Sequence, residues 1–498
     1  MAIGWVKKMK SNFGASFLWL VCLIYFTQGF RSFVWTAVSY QMKDVLGLSP
    51  SASQFVVSIA YFPWSIKPLY GILSDSIPIK GRKRVPYLVL ATSLSLVPWV
   101  ILGLPTPMRS SRNFLTILLT LQNIGSAMAD VVIDAMIAEA VRSELAAFAG
   151  DLQSLSWSAM AIGGICGSLL GGYTLSNLKI ETIFLLFSVL PTIQLISCSF
   201  VSEVPSGDIE TVNGKANGHL KDDMNGRPSN GNSLSHEKSK SESLRRRKNG
   251  QQHGQRQAIT TKPNITEQKR RSLIARSFIS IKTSIFDLCK AFKQPIILRP
   301  MAWFFLSHVT VPNLSTVMFY YQTDVLHLES AFLGNARVVG WLGLMVGTYT
   351  YNRCFKHLRL RKILMWTHIG LAVMNFLDIV LVSRLHVQFG IPDKYMVLFG
   401  SALGDAINQF KMMPFLILSG QLCPPGIEGT LFALFMSINN LGNTFGSFLG
   451  AALASLLNIS SESFDKLVLG LNVQLISTFI PVAFLFLIPK DATGQASS

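Results

Sequence analysis

Apolar positions in this chain are grouped into long runs separated by short polar stretches. A run near 20 residues is what a hydrocarbon core about 30 Å thick demands of a helix. The first begins near Phe17 and continues to Val38, and others cover 52–74, 86–104, 114–138, 152–174 and 180–201. After a long polar interval they resume at 300–321, 333–352, 363–385, 395–420, 429–457 and 467–488. This pattern predicts an all-α polytopic membrane protein with 12 transmembrane helices in two six-helix halves. The corresponding boundaries are a short N-terminal segment 1–16, a half at 17–201, an interval at 202–298, a second half at 299–489 and a tail at 490–498.

The two halves repeat each other. An offset of 279 residues aligns Gly163, Gly167 and Gly171 with Gly442, Gly446 and Gly450, and Ser158 and Ser168 with Ser437 and Ser447. The same offset pairs Gly125 with Gly404 and Ala127 with Ala406. One more residue of shift pairs Tyr40, Asp44, Val45, Leu46 and Leu48 with Tyr320, Asp324, Val325, Leu326 and Leu328. Two such halves of equal orientation, joined by a long loop, are the parallel-repeat arrangement of major facilitator transporters. Each glycine triplet puts three bare backbones on one helix face, which permits close helix crossing. Two roles stay open for these faces: surfaces where the halves slide on each other, or static packing.

Composition sharpens the picture. Half of the residues are hydrophobic and only 14% are charged, yet the formal net charge is +18; soluble domains carry about 25% charged residues. Disorder of the bulk is excluded by 33 Phe and the apolar half. The six Cys are too dilute for a disulfide scaffold and read as small hydrophobes, so no metal or cofactor is expected. Basic residues of short loops set orientation. Lys7, Lys8 and Lys10 precede the first run, Lys80, Arg82, Lys83 and Arg84 follow the second, and Arg353, Lys356, Arg359, Arg361 and Lys362 follow the eighth. Arg109 and Arg112 run against the trend, but the sum places both termini in the cytoplasm. The interval 202–298 holds 18 Lys/Arg against 9 Asp/Glu, half of the net charge, and is expected to be a disordered cytoplasmic loop drawn to anionic lipid. It lacks the aromatic interleaving of a nucleic-acid site, so no nucleic-acid partner is expected. From Ser272 to Lys293 the pattern turns amphipathic and predicts an interfacial helix. Neither a transit peptide nor a cleaved signal is expected at the N-terminus.

Ionisable residues at membrane depth are expensive and point to a cavity. The fourth run carries Asp130 and Asp134, one turn apart on a shared face, with Glu139 toward its end. Two close carboxylates at low dielectric favour a state in which one keeps its proton, so both are candidates for proton coupling or for a substrate hydrogen bond. Arg31, Lys67 and Lys411 supply the opposite charge, and Gln409 is the repeat counterpart of Asp130. Pseudo-symmetry would set the acidic fourth run against Lys411 across a central cavity; a structural ion pair of Asp130 or Asp134 with Arg31, Lys67 or Lys411 is the alternative. Gln153, Trp157, Asn439 and Asn440 add polar and stacking capacity at similar depth, with Trp64 a second stacking candidate. His308 and His368 read as packing residues rather than proton relays. Asn458-Ile-Ser460 is a glycosylation sequon in an expected outside loop. After the second run, Gly71 and Asp75 precede Gly81-Arg82-Lys83-Arg84, similar to the superfamily's loop motif of glycine, aspartate and basic cluster with three extra residues around Ile77, Pro78 and Ile79. There the charges would latch helix ends.

Several stretches resemble the folate-biopterin transporters of plants, cyanobacteria and trypanosomatid-type protists. They are Gln28-Gly-Phe-Arg31, Tyr40-Gln-Met-Lys-Asp44, Pro63-Trp-Ser-Ile-Lys-Pro-Leu-Tyr-Gly71 with Ser74-Asp75, Asp130-Val-Val-Ile-Asp134-Ala, Gly150-Asp-Leu-Gln153 and Leu422-Cys-Pro-Pro-Gly-Ile-Glu428-Gly-Thr-Leu-Phe-Ala433. The resemblance spans both halves and omits 202–298; the long basic loop and the segment Asn408–Met413 depart from it. It implies a folate or pterin substrate, whose glutamate carboxylates would meet Arg31, Lys67 or Lys411 and whose ring edge would meet Asp130 or Asp134, with Trp157 or Trp64 for stacking. The expectation is a monomeric, proton-coupled secondary transporter that takes a small-molecule substrate and no cofactor, in a lipid bilayer the sequence does not specify. A transporter of another solute and a non-transporting receptor-like member are the alternatives. No nucleotide-binding loop or catalytic cluster supports a pump or an enzyme.

Overall fold

The computed structural model describes residues 2–104, 110–141, 149–201, 203, 281–283, 285, 286, 288–422 and 428–490. The helices of the first half are α1 (Ala2–Phe13), α2 (Ala15–Tyr40), α3 (Pro50–Tyr61), α4 (Lys67–Ser76), α5 (Val85–Gly103), α6 (Arg112–Val141), α7 (Ala149–Asn177) and α8 (Ile180–Ser197). Those of the second are α9 (Pro295–Val309), α10 (Ser315–Asp324), α11 (Ser330–Thr350), α12 (Leu360–Val382), α13 (Asp393–Gln421), α14 (Glu428–Leu456) and α15 (Leu467–Ser477). No strand occurs among the described residues; the one β-bridge joins Ile79 to Arg82. The apolar runs expected from the sequence fall mainly on helix, the seventh being interrupted at 310–314. Among the described residues, seven helical stretches are long and apolar enough to cross a membrane, covering the first, third to sixth, ninth and last runs. The other five are broken by proline (Pro63, Pro68 and Pro312) or carry polar residues such as Arg337, Gln409 and Asn440. The disorder expected of 202–298, and most of the interfacial helix expected at 272–293, fall outside the described residues. Described residues of 281–292 are helical, with Leu288 and Ala291 buried and Ile285 and Phe286 exposed; α9 then starts at Pro295.

The breaks have local causes. Pro63 and Pro68 each remove a backbone donor, and between α3 and α4 the chain tightens to a 3-10 stretch over Phe62–Ile66. Ser49 caps α3 by accepting a bond from the Ala52 amide, with Pro50 at its first position. Beyond α4, Lys80 and Gly81 both have positive φ (52° and 79°), and Ile79 and Arg82 exchange backbone bonds of 2.9 and 3.0 Å. That is a two-residue reverse turn, which glycine at its second position enters without steric cost.

Each half holds two apolar clusters stacked along its helices. In the first half, Leu20, Ile24, Tyr87 and Ile133 pack at the face bearing the chain ends, and Val38, Trp99, Leu115 and Phe184 pack at the opposite, distal face. In the second half, Trp303, Leu364 and Phe415 and Val317, Leu381 and Leu467 take the equivalent places. Polar residues of the interior lie between them.

The contacts of the glycines separate the two roles left open for them. A Cβ on Gly163, Gly167 or Gly171 would meet the backbone or Ser32 of α2, in the same half. A Cβ on Gly442 or Gly446 would meet α9, and one on Gly450 the Asn313 carbonyl just beyond it. These stripes therefore clamp helices within each half, as static packing requires, instead of forming the sliding surface; of the six only Gly450 also touches the other half, at Gln54. The close approach between halves uses neighbouring positions: Gly172 meets Ser330 and Gly334 of α11, and Gly164 meets the Trp341 ring. On a helix, residues one place along point about 100° away, which is why adjacent glycines serve different partners.

Candidate functional site

The broken second span presents Trp64 and Lys67 to the interior. Around them the first half builds a connected polar group. Arg31 of α2 donates to the Asn123 side chain of α6 at 2.6 Å, and the Trp64 indole donates to the same oxygen at 2.8 Å. The Arg31 guanidinium lies 5.9, 5.8 and 5.2 Å from the ring centres of Trp35, Tyr61 and Trp64, within reach of cation–π attraction. Its Nε has no partner among the described residues. Lys67 donates to Asp130 and lies 4.8 Å from the Trp64 ring centre; both members of the ion pair are buried. Asp134, one turn on, is exposed and accepts a hydrogen bond from Tyr25. The two carboxylates thus share a helix face, but one is neutralised by a buried cation and the other stays open.

Between the halves lies a cavity of about 370 Å³ walled by Gln28, Arg31, Tyr61 and Trp64 on one side and by Asn440 and Thr444 on the other. Asn440 donates to the Trp64 carbonyl at 3.1 Å, tying α14 to the broken span. The volume falls within the roughly 300–1,000 Å³ of small-molecule sites.

Other residues singled out from the sequence go elsewhere. Lys411 is buried and bonds the His308 ring at 3.3 Å, within its own half. It does not face Asp130, whose charge is met by Lys67; the structural ion pair is the arrangement found. His308 is accordingly a partner of Lys411 rather than a simple packing residue. His368 bonds the Thr478 carbonyl at 3.0 Å and packs edge-on against Trp303, as a packing residue would. Gln409 and Asn439 are buried in the second half. Gln153 is exposed and Trp157 half-buried on α7, and neither lines the cavity. Among the described residues no three His, Cys, Asp or Glu side chains converge as a metal site requires.

The loop motif resolves into one inward arginine. Arg82 is exposed and Lys83 half-buried, whereas Arg84 is buried. Its guanidinium reaches Asp75 and Glu139 at 2.6 Å each and the Ser74 hydroxyl at 2.9 Å. Gly71 sits near Val131 of α6 in ordinary contact. Glu203 accepts bonds from the backbone amides of Lys83, Arg84 and Val85 at 2.6 to 3.1 Å, holding the N-terminus of α5, where a carboxylate is favoured. Asp75 therefore forms an ion pair near the end of α4. Its partner is one arginine, while Arg82 and Lys83 stay at the surface.

Sequence reasoning missed Asn123, Tyr25, Tyr61 and Arg337. The first three are ordinary polar residues in helices and carry no local signal. Arg337 does carry one, a guanidinium within an apolar run, but it lies only four residues from the start of that run, where arginine commonly snorkels to the interface.

Comparison with known proteins gives the chain its relatives. An Arabidopsis thaliana protein described as probable folate-biopterin transporter 4 is 65% identical over 496 residues, covering 100% of both chains. A folate-biopterin transporter of Synechocystis sp. is 28% identical over 98% of this chain and 86% of its own. Among solved structures, a D-xylose-proton symporter matches with a TM-score of 0.61 at 13% identity, covering 97% of this chain and 99% of that one. A POT family transporter bound to a thioalcohol-conjugated peptide matches with a TM-score of 0.62 at 11% identity, covering 96% of each chain. At such identities the likeness carries the fold alone, and the fold is that of the major facilitator transporters. Relatives and fold together make this a multi-pass membrane transporter and not an enzyme. A family model described as the BT1 family matches residues 28–497, nearly the whole chain, and the protein therefore belongs to the BT1 family.

Proposed function

We propose that this protein carries folate, a pterin or a related amphoteric organic anion by alternating access, coupled to protons. It acts as a monomer with 12 membrane spans and both termini in the cytoplasm. The observation that carries the reading is Arg31 at the wall of the inter-half cavity, flanked by Trp35, Tyr61 and Trp64 and with an unpartnered Nε. A guanidinium takes a carboxylate through two parallel bonds, and the aromatic rings suit a flat heterocycle. The names of the relatives point to the same chemistry.

Asp134 is the coupling group in this reading, because it is open while Asp130 is committed to Lys67. Movement would begin at the distal face, where the halves are tied by Lys43 to Asp324 at 2.6 Å, by Tyr320 to the Leu48 carbonyl and Ser53 at 2.9 and 2.6 Å, and by Gln54 to Asn313 and Ser447. The test is uptake of labelled folate and of labelled biopterin by vesicles reconstituted with the full chain, with and without a proton gradient. Asp134→Asn should remove the gradient-driven part of the flux while the protein stays folded, since an amide oxygen still accepts the Tyr25 bond. Undiminished flux in that variant overturns the coupling role, and absence of both solutes from the vesicles overturns the substrate class.

A further inference from the structure

A hydrogen bond joins the two sides of the inter-half cavity. Asn440 of α14 donates its side-chain amide to the Trp64 carbonyl at 3.1 Å, and both residues line the cavity. The acceptor sits at the break in the second span. Pro68 has no N–H to return to the carbonyl four residues before it, which is that of Trp64; a donor reaches this carbonyl from the opposite half. The rest of Trp64 is held in place. Its indole donates to the Asn123 side-chain oxygen at 2.8 Å, the same oxygen that takes Arg31 at 2.6 Å. Its ring centre lies 5.2 Å from the Arg31 guanidinium and 4.8 Å from the Lys67 ammonium. A fixed acceptor therefore stands beside the cation proposed to take the substrate's carboxylate. On the other side, the Asn440 backbone carbonyl accepts from the Thr444 hydroxyl at 2.9 Å, one turn along α14, and Thr444 also lines the cavity.

A carrier that works by alternating access moves one half against the other, and a bond between two cavity walls must then open. A buried acceptor left unmet lowers the population of the parted state by roughly five- to a hundredfold. A ligand shifts such an equilibrium only through contacts that differ between the two states. One that offers a donor in place of Asn440 removes the loss, so the loaded protein parts more readily than the empty one. We propose that Asn440 is a latch displaced by the ligand: a ring N–H of the bound heterocycle takes over the Trp64 carbonyl and releases α14. The ligand class is a planar ring with hydrogen-bond donors on one edge and a carboxylate for Arg31 at its other end. Resting on the transport reading above, this makes Asn440 a competitor of the substrate for one acceptor rather than a group that holds the substrate.

The test uses the purified full-length protein and follows quenching of tryptophan fluorescence. The probes are pterin-6-carboxylate, whose pyrimidine edge carries N–H donors, and 1,3-dimethyllumazine-6-carboxylate. The second keeps the bicyclic frame and the carboxylate but has methyl groups on both pyrimidine nitrogens. Asn440→Leu removes the competing donor, so it should bind pterin-6-carboxylate about two- to tenfold more tightly than the wild type does, with the dimethyl probe unchanged. Asn440→Ala leaves more room than asparagine and should show the same gain, which separates lost competition from a steric effect. An unchanged ratio of the two affinities means that Asn440 and the ligand do not share an acceptor. A fall in the ratio means that Asn440 holds the ring itself, and a gain in Asn440→Leu alone is steric. Each of these overturns the latch, as does a lack of saturable quenching by pterin-6-carboxylate. Uptake of labelled folate and biopterin is measured alongside. A gain in binding without flux of either solute refutes the transport reading and leaves the displacement standing; flux without the gain does the reverse.

Discussion

The Lys67–Asp130 pair offers a direct test of how the interior is held together. Lys67 and Asp130 are 6% and 8% exposed, so removing either one strands the other charge away from water. Breaking a buried pair by deleting one partner costs about 3–5 kcal/mol, whereas replacing both by apolar residues of similar volume is close to neutral. Asp130→Leu should show the full loss. Asp130→Asn should sit near the lower end, because its amide oxygen still accepts a bond from the ammonium. Lys67→Met also gives up the contact over Trp64, worth about 0.5–2 kcal/mol. Lys67→Met combined with Asp130→Leu should return to within about 2 kcal/mol of wild type, leaving a coupling of several kcal/mol in the double-mutant cycle. The assay is unfolding of purified protein in detergent, followed by tryptophan fluorescence, with substrate uptake measured on each variant. If each single substitution costs less than about 1 kcal/mol, the pair is not buried as described and the reasoning fails. Uptake by the stable double variant adds a second answer: restored flux makes the pair scaffolding, and lost flux makes it part of transport. Neutralising Asp130 alone is therefore a poor probe of proton coupling, and Asp134, which is exposed, is the better one.

Two further predictions concern the crossing glycines and the distal tie. Gly163→Ala should destabilise more than its repeat counterpart Gly442→Ala, because the first Cβ runs into the Phe26 carbonyl while the second meets His308 Cβ at 3.0 Å and the Phe305 carbonyl at 3.1 Å; overpacking of the first kind costs about 1–3 kcal/mol, and equal unfolding midpoints would contradict it. Lys43→Gln or Asp324→Asn should raise labelling of a cysteine placed at Ser53, which bonds Tyr320 across the interface, by loosening the 2.6 Å ion pair between the halves. Exchanging the two charges should restore protection, and unchanged labelling in both single variants would count against a latch at that face.

The helices were largely legible because both signals that reveal them are local. Hydropathy over some 20 residues reflects what one helix needs in lipid, and the 279-residue offset between the glycine triplets needs no knowledge of packing. Prolines at 63 and 68 mark a break in the second span. The roles of the charged residues were only partly legible. Asp130, Asp134, Arg31 and Lys67 stand out from their apolar surroundings by type. Arg82, Lys83 and Arg84 look equivalent in the chain, yet only Arg84 turns inward to Asp75 and Glu139.

The sequence alone determined the fold class, the internal repeat and the short roster of interior charges. Tertiary structure alone decided the pairing: Asp130 with Lys67 and not Lys411, and Arg31 with Asn123. The reason is geometric. Whether two interior side chains meet depends on the rotation and tilt of helices far apart in the chain, which are fixed by close crossings such as Gly163 on Phe26 and Gly172 on Ser330. A rotation of about 100° separates one residue from the next on a helix, so the same residues at the same depth can face a cation, a cavity or lipid.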